Sequence, residues 1–321
     1  MRFGIVPREW GDFKEEAVEQ SQLAQNLGFD SIWVEEHHGN PDYLPSPLVA
    51  AAALSQHVPK LLVGTAVAIL PLYNPVRFAS DVAVLDNATG GKAVVGVGVG
   101  YRGNEFEAMA VPLNERGTRM DESIELLSSL LKGDLVNHHG RHFNITNFRL
   151  FPRPLQVPRP EIWVGGWKDK SMKRVARMGD RWLAGPVASY AVLDDAIRSY
   201  KEELGRNRKR FSGFALMRDA YVASDEKDVL RDVEGSVNHM YGEDYSGSEH
   251  PLVGGQKTGA ATWVEERFIH GTPSQCLEKV QELKKKGVNH LILRVSLRGL
   301  PHRKVMESVR LFGTKVLRNV E

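Results

Sequence analysis

The stretch that decides the fold is Ser31-Ile32-Trp33-Val34-Glu35-Glu36-His37-His38. Its first four residues form a compact apolar run typical of a buried strand, and Gly28-Phe29-Asp30 before it predicts a helix stop and a turn. The run then ends in two carboxylates and two imidazoles. Parallel α/β folds bind ligands at the carboxyl ends of their strands, so the stretch predicts a functional site there. The alternative is that Glu36 only hydrogen-bonds a neighbouring loop and that the histidines lie on the surface.

Seven further strands are predicted to alternate with helices along the chain. We expect these strands at residues 2–6, 61–67, 93–97, 162–164, 181–184, 214–223 and 290–295. Helices are expected between and after them, ending near residues 27, 56, 87, 131, 178, 204, 286 and 316. Eight strands alternating with helices predict an α/β fold of the (β/α)8 TIM-barrel type, and 321 residues fit one such domain, residues 1–321.

Two stretches break the alternation and predict insertions at about 135–160 and 224–270. In the first, His138-His139-Gly140-Arg141-His142-Phe143 predicts a hairpin turn, and the prolines that follow rule out a helix. Its histidines could bind a metal, but we expect no acidic ligand nearby and therefore no metal site, since the turn suffices to explain them. The second stretch is long and polar. Its middle, residues 242–259, is rich in glycine and serine and predicts a mobile lid.

Composition excludes several classes of function. The net charge is only +2 and the two signs are well mixed, so neither nucleic acid nor a membrane surface is an expected partner. The single cysteine, Cys276, excludes an intrachain disulfide and favours a reducing compartment. No apolar run approaches the ~20 residues of a membrane span. We therefore expect a cytoplasmic enzyme.

Two glycine-containing stretches predict ligand contacts. Gly98, Gly100 and Gly103 satisfy the dinucleotide pattern G-x-G-x-x-G, but residues 104–112 separate them from the next predicted helix, where a true fingerprint would open one. We interpret these glycines as allowing close approach to a planar or phosphorylated ligand. The second stretch is Gly165-Gly166-Trp167-Lys168-Asp169-Lys170-Ser171. It precedes a predicted helix, and such helix starts favour phosphate.

Several segments together carry a family resemblance over nearly the whole chain. They are residues 28–38, Gly64-Thr65-Ala66-Val67 with 75–77, residues 85–98, Gly100-Tyr101-Arg102 with Glu105-Phe106-Glu107-Ala108, and Ile162-Trp163-Val164-Gly165-Gly166. In this order and spacing they resemble the bacterial luciferase-like flavin-dependent monooxygenases. The resemblance implies a β/α barrel with an insertion, which agrees with the strand count.

The resemblance also implies roles for individual residues. His37 would lie near the reactive carbon of the flavin and donate or accept a proton, and Glu36 would orient His37 or fix its tautomer. A cis peptide bond at Ala66–Val67 would lie under the flavin ring, and Gly100 and Tyr101 belong to a second cofactor-binding segment. The phosphate turn would be formed by Gly165, Gly166, Lys168 and Ser171. Some family members have a phosphate-binding arginine where this chain has Val99, so the phosphate would depend on that turn or on Arg102.

The activity implied is oxidation of a small organic substrate by oxygen and reduced FMN, with the FMN supplied by a separate flavin reductase. One alternative is a coenzyme F420-dependent oxidoreductase that moves hydride without oxygen. Others are a flavin-binding protein without turnover and a metal-dependent hydrolase using His37 and His38, although adjacent histidines rarely share a metal. Arg294, a candidate catalytic residue, and Arg218 lie on predicted strands. Each could face an anionic substrate or pair with an acid such as Asp219 or Glu265.

Residues 48–54 predict that the protein forms an oligomer. They read Leu-Val-Ala-Ala-Ala-Ala-Leu, so a helix here is apolar on every face, whereas a helix outside a barrel normally has one polar face. A two-fold partner could cover this helix and its neighbour at 75–85, so we expect a homodimer. The alternative is that the insertion at 135–160 folds over it.

Overall fold

Eight parallel strands form a closed barrel in the computed structural model, which describes residues 1–9, 11 and 13–320. The strands are β1 Arg2–Val6, β2 Ser31–Val34, β3 Leu62–Thr65, β4 Ala68–Ile69, β5 Ala93–Gly98, β6 Val136–His139, β7 Asn144–Phe148, β8 Ile162–Gly165, β9 Arg181–Ala184, β10 Phe214–Val222, β11 Ile269–Gly271 and β12 Val288–Arg294. The barrel order is β1-β2-β3-β5-β8-β9-β10-β12, and β12 pairs with β1 to close it. The predicted (β/α)8 barrel is confirmed.

Helices surround the barrel and follow its strands. They are α1 Val18–Leu27, α2 Pro47–Ser55, α3 Pro75–Ala88, α4 Gly103–Ala108, α5 Arg116–Lys132, α6 Asp169–Met178, α7 Tyr190–Arg206, α8 Lys227–Val237, α9 Ala260–Arg267, α10 Pro273–Lys285 and α11 His302–Leu311. Short π-helical segments precede α1 at 13–17, follow α8 at 238–245 and follow α11 at 312–316. In the part of the chain that the structure describes, no helix has the length and apolar character needed to cross a bilayer.

The lower half of the barrel interior is filled by aromatic side chains. The rings of Trp33 and Trp163 stack with their centroids 4.9 Å apart, and His290 lies edge-on to both. Ser31 joins them, since its Oγ lies 2.7 Å from His290 Nε2 and accepts from Trp33 Nε1 at 2.7 Å. Burial lowers the pKa of His290 to about 3, so this ring stays neutral. A Cβ on Gly64 of the next strand would lie 2.4 Å from Trp33, so that position has no room for a side chain.

The third predicted strand is divided in two. A single strand over 61–67 was expected, but β3 ends at Thr65 and β4 begins at Ala68. Between them the Ala66–Val67 peptide bond is cis, as the resemblance implied. Before the bend, β3 pairs with the start of β5 at Ala93–Val94. After it, β4 pairs with the end of β5 at Val97–Gly98.

The first insertion contains the expected hairpin, formed by β6 and β7. Its histidines contact α5, because His138 Nε2 lies 2.9 Å from Glu122 Oε1 and His142 Nε2 lies 2.8 Å from Thr118 Oγ1. The expectation that no acid lies nearby is therefore wrong, since α5 brings Glu122 beside the turn. Even so, no cluster of three or more metal-binding side chains is found among the described residues.

The second insertion is more ordered than its polar composition predicted. Residues 227–245 are helical, and buried apolar side chains recur one turn apart along them, at Val229, Val233, Val237 and Tyr241. The sequence analysis predicted no helix in this long, polar stretch, and that was wrong because these apolar residues are spaced for one helix face among charged neighbours. Residues 246–255 form turns. The mobility expected for 242–259 stays a prediction.

One face of α2 is uncovered. Ala51 is fully buried, whereas Val49 is 71% exposed and Ala53 is exposed beside it; on neighbouring α3, Val84 is 54% exposed. The first insertion does not cover this face. Its proline-rich end instead donates from the Leu155 and Gln156 amides to the Asp86 carboxylate of α3. That alternative is wrong, and the homodimer stays the prediction for the exposed α2–α3 face.

We expect Val49→Asp combined with Val84→Asp to convert a dimer to a monomer without unfolding it, because a charge in an apolar interface loses its hydration. Light scattering at micromolar concentration, together with thermal unfolding, measures both effects. Leu230→Asp, on a partly exposed site of α8, is the matched control and should leave the dimer intact. A monomeric unmodified chain would contradict the interface.

Candidate functional site

Glu36 supports the loops around the site. Its carboxylate is 2% exposed and accepts from the Tyr73 hydroxyl at 2.7 Å and from the Ile69 amide at 2.6 Å, and its Oε1 lies 2.8 Å from His38 Nε2. The hydrogen bond that Glu36 accepts from His38 is also the main reason why the pKa of His38 is raised. Glu36 therefore joins the end of β2 to the segment after the cis peptide.

His37 is oriented by another acid, Glu105 of α4. Glu105 Oε1 lies 2.8 Å from His37 Nδ1 and accepts from the His38 amide at 2.9 Å. Burial acts to raise the pKa of Glu105, but the hydrogen bond and charge of His37 outweigh it, and the net pKa is lowered. A carboxylate at Nδ1 favours the tautomer that carries its proton there, and Nε2 is then the atom that can exchange a proton. The expectation that Glu36 orients His37 is wrong.

Strand geometry explains this correction. Side chains alternate between the two faces of a strand, and β2 places Ser31 and Trp33 inside the barrel. Continuing that alternation, Glu35 turns toward the barrel axis and Glu36 toward neighbouring loops. Glu105 lies in the quoted motif but had no assigned role, and the expected loop at 104–112 in fact contains the short helix α4 that carries it.

The cis peptide lies against the glycine-rich strand ends. A Cβ on Gly98 would lie 2.5 Å from the Val67 side chain, and a Cβ on Gly165 would lie 3.3 Å from it. Gly100 has φ of +71°, and a Cβ there would lie 2.7 Å from both Ile69 and Phe106. The structure thus brings the predicted cofactor residues of β3, β5 and β8 together at the carboxyl end of the barrel.

The predicted phosphate turn has the features of an anion site. Gly165 ends β8, Gly166 has φ of +152°, and Ser171 is 9% exposed in the first turn of α6. No side chain caps α6 at Lys168, so no side chain there accepts from the backbone N–H groups that open the helix. Such N–H groups at a helix start can bind an anion. Lys168 itself is exposed.

Tyr101 and His250 connect the turn with His37. The Tyr101 ring centroid lies 5.7 Å from that of His37 and 4.8 Å from that of His250. Burial, followed by the charges of His37, Arg102 and Lys168, lowers the pKa of His250 to about 3. The Tyr101 hydroxyl is buried with no hydrogen-bond partner among the described residues. Tyr101 therefore packs between His37 and His250, and His250 lies within electrostatic range of Lys168 in the predicted phosphate turn.

Arg102 and Arg218 do not take the roles considered for them. Arg102 Nη2 donates to both carboxylate oxygens of Asp244 at 2.8 Å, so it is committed to the second insertion rather than to a phosphate. Arg218 lies on the outer face of β10, where its Nη1 donates to the carbonyls of Gly185 at 3.2 Å and Pro186 at 3.1 Å. It pairs with neither Asp219 nor Glu265.

Arg294 is both paired and directed into a cleft. It donates to Asp219 from Nε at 2.5 Å and from Nη2 at 3.0 Å, and to the Tyr245 hydroxyl at 2.9 Å. It also lines a narrow cleft at the carboxyl ends of β1, β2 and β12. Of the two interpretations left open by the sequence, the structure supports pairing with an acid, and that acid is Asp219.

Two buried acids in the same cleft were missed by sequence reasoning. Glu9 and Glu35 are 4% and 7% exposed and line the cleft beside Arg294. Burial, and then the charge of Glu35, raise the pKa of Glu9 well above its usual range. Burial also raises the pKa of Glu35, against the opposing charge of Arg294. The inward alternation of β2 was the available signal for Glu35; for Glu9 the sequence carries none.

Comparison with known proteins identifies the family. A model described as luciferase-like monooxygenase matches residues 9–290. The chain belongs to the luciferase-like monooxygenase family. Members of this luciferase-like family are oxidoreductases, and the family assignment agrees with the resemblance seen in the sequence motifs.

Two curated relatives are flavin-dependent oxygenases. The oxygenase component of the flavin-dependent trigonelline monooxygenase of Acinetobacter baylyi is 27% identical over 67% of this chain, and the chain spans only 61% of that protein. The FMNH2-dependent dimethylsulfone monooxygenase of Pseudomonas putida is 26% identical over 92% of this chain and 85% of its own length.

Two solved structures share the fold of this luciferase-like chain. Monooxygenase RslO1 from Streptomyces bottropensis has a TM-score of 0.84 at 22% identity and covers 100% of both chains. The coenzyme F420-dependent tetrahydromethanopterin reductase from Methanopyrus kandleri has a TM-score of 0.80 at 18% identity, covering 100% of this chain and 99% of its own. The fold is therefore shared by a monooxygenase and by a coenzyme F420-dependent reductase.

For the phosphate turn, we expect Lys168→Ala combined with Ser171→Ala to weaken FMN binding by roughly 10²–10⁴-fold while changing riboflavin binding little. The reason is that each charge-assisted hydrogen bond contributes about 1.5–3 kcal/mol. Fluorescence titration with the two flavins measures the difference, and Lys173→Ala, exposed on the same helix, is the control. Equal losses for FMN and riboflavin would place the phosphate elsewhere.

For Glu105, we expect Glu105→Ala to lower turnover by roughly 10- to 100-fold with flavin affinity unchanged, because the partner that orients the His37 ring is lost. Glu105→Gln should recover part of the rate, since an amide oxygen still accepts from Nδ1. Steady-state kinetics with flavin titration separate the two effects. Glu107→Ala, exposed on the same short helix, is the control, and equal activity of Glu105→Ala and Glu107→Ala would exclude the role.

Proposed function

We propose that this chain is the oxygenase component of a two-component flavin-dependent monooxygenase. It would bind reduced FMN delivered by a separate reductase and oxidise a small organic substrate with molecular oxygen. The observation that carries the proposal is the His37–Glu105 pair, an oriented imidazole that follows β2 at the end of the barrel where Val67 of the cis peptide packs against the glycine-rich strand ends. The two oxygenase relatives support the same chemistry.

The residues of the site fit FMN. The uncapped start of α6 with Lys168 and Ser171 would hold the phosphate, and the Ala66–Val67 and Gly98–Gly100 segments would support the ring. Reduced flavin, when bound, supplies the electrons that activate oxygen. The task of His37 is to hold or move a proton at Nε2 while Glu105 fixes Nδ1. The aromatic rings of Tyr43 and Tyr101 around His37 limit access of water to the imidazole.

A second candidate function is hydride transfer with coenzyme F420 and without oxygen. It is favoured by the full-length match to a 5,10-methylenetetrahydromethanopterin reductase of Archaeoglobus fulgidus, 25% identical over 99% of both chains. In that case the same His37–Glu105 pair would exchange a proton with the substrate. The two candidates differ in cofactor and in oxygen use, so one set of measurements separates them.

The decisive experiment titrates the protein with oxidised FMN, reduced FMN and F420, and then measures oxygen uptake with reduced FMN. We expect reduced FMN to bind more tightly than F420 and oxygen uptake to yield oxidised substrate. His37→Ala should retain flavin binding and lose product formation by ~10²–10⁴-fold, the usual contribution of general acid–base catalysis. Preferential F420 binding, with hydride transfer and no oxygen uptake, would replace the monooxygenase proposal.

A further inference from the structure

A second cavity lies between the loop that follows β9 and the second insertion. Its volume is ≈ 310 Å³, which is within the range of about 300–1,000 Å³ that small-molecule pockets occupy. Val187, Ser189 and Val192 line one side, and Thr258, Thr262 and Arg267 line the other. None of the residues predicted to bind flavin lines it, so this cavity is a space separate from the candidate flavin site.

Two helices begin at the cavity. α7 begins after Ser189, whose hydroxyl accepts from the Val192 amide over a long 3.4 Å. α9 begins after Gly259 and has no side-chain cap, and Thr258 and Thr262 on either side of that start line the cavity. The first N–H groups of a helix have no partner within it and carry the positive end of the helix dipole. Both helix starts therefore favour a negatively charged ligand.

A buried arginine also reaches the cavity. Arg267 is 5% exposed, and its Nε donates to the Val187 carbonyl at 2.9 Å while its Nη1 contacts the Glu266 carboxylate. Neither contact uses Nη2. The guanidinium lies 4.3 Å from the centroid of the Trp263 ring, which fixes its plane. The Glu266 side chain is 46% exposed, so it can turn to solvent when another anion binds Arg267.

A second arginine adds positive charge behind the same loop. Arg218 is fully buried, and its Nη1 donates to the carbonyls of Gly185 and Pro186, just before Val187. Its Nε and Nη2 have no hydrogen-bond partner in residues 1–9, 11 and 13–320, so no carboxylate neutralises it there. Burial lowers the pKa of Arg218, and the charge of Arg267 acts in the same direction, but an arginine stays protonated in proteins. Around this loop two cations, Arg218 and Arg267, therefore face one acid, Glu266.

We propose that this cavity binds a small organic anion, with its carboxylate or phosphate group at Arg267 and the two helix starts. The inference goes beyond the proposed function and does not depend on flavin binding. A buried positive charge without a partner is costly, and a bound anion removes part of that cost. The hydroxyls of Ser189, Thr258 and Thr262 supply further hydrogen-bond donors. Val187, Val192 and Leu252 also line the cavity and would contact the carbon part of the ligand.

The test compares four probes: n-butyl phosphate, butyrate, n-butanol and inorganic phosphate. Isothermal titration calorimetry on the full chain should show both organic anions binding at least about tenfold more tightly than n-butanol. Inorganic phosphate should bind more weakly than n-butyl phosphate, because it makes no apolar contact. Saturating oxidised FMN should leave the affinity for n-butyl phosphate unchanged.

Two substitutions on α9 should change anion affinity in opposite directions. Glu266→Gln removes the competing carboxylate and should tighten binding of n-butyl phosphate by about threefold or more. Thr262→Glu places a carboxylate at the cavity and should weaken it by at least about tenfold. Glu265→Gln and Ala261→Glu are the matched controls, because both positions are exposed on the same helix and lie outside the cavity lining. Neither control should change the affinity.

Equal affinity for n-butanol and the two organic anions would overturn the inference, and so would equal effects of Thr262→Glu and Ala261→Glu. Inorganic phosphate that binds as tightly as n-butyl phosphate would replace the organic ligand by the free ion. Displacement of n-butyl phosphate by FMN would show that the cavity belongs to the flavin site. If a variant does not fold, as judged by thermal unfolding, the selectivity of the unmodified chain among the four probes decides.

Discussion

The structure depends on how the barrel interior is filled. Trp33 and Trp163 stack across the axis and occupy the lower half, and Gly64 on the next strand leaves the space that Trp33 needs. Small or absent side chains opposite large ones are a usual way to pack such interiors. Among these rings the polar side chains of Ser31 and His290 are hydrogen-bonded to each other, whereas the charged groups Asp219 and Arg294 lie nearer the carboxyl ends of their strands. The same strand that supplies Trp33 continues into Glu35 and the two histidines. The packing of Trp33 in the barrel therefore fixes where along the barrel axis the site lies.

The alternation of side chains along each strand then determines which charged groups face the barrel interior and which face outward. On β10, Ala215 and Met217 face the interior and Asp219 continues that face, while Arg218 points outward. On β12, Ile292 faces inward and Arg294 follows two residues later, which brings it against Asp219. The buried ion pair is thus a direct result of two strands ending in the same inward register. It also explains why two arginines with similar sequence surroundings have different environments.

Much of the fold followed from the sequence. The eight barrel strands and the hairpin lie where they were expected, except that the third strand is divided at Ala66–Val67. Local patterns sufficed for the strands, because each is a short apolar run bounded by turn residues. The cis peptide at Ala66–Val67 was implied only by the family resemblance. The helices of the second insertion were missed, since their apolar residues are spread among charges and are stabilised by packing on the rest of the chain.

The candidate site followed only in part. The sequence singled out His37, the glycine-rich strand ends and the turn before α6, all of which carry local signals. The sequence analysis predicted that Glu36 orients His37, whereas the hydrogen-bond partner of that ring is Glu105, 68 residues away. Glu9 and Glu35 were missed for the same reason: their importance arises from neighbours contributed by distant strands. Contacts between separate elements are what a single sequence, without structure, does not reveal.

The contacts of α4 have a consequence for how substrate and catalyst communicate. Arg102, directly before this short helix, binds Asp244 of the second insertion, and Glu105 within it binds His37. The second insertion and the imidazole are therefore joined through one short helix. If a ligand shifts the second insertion, α4 offers a direct route by which the orientation of the His37 ring would change with it, and by thermodynamic linkage the coupling would act in both directions. Loss of the Arg102–Asp244 pair would then be felt at His37 although neither residue contacts the ring.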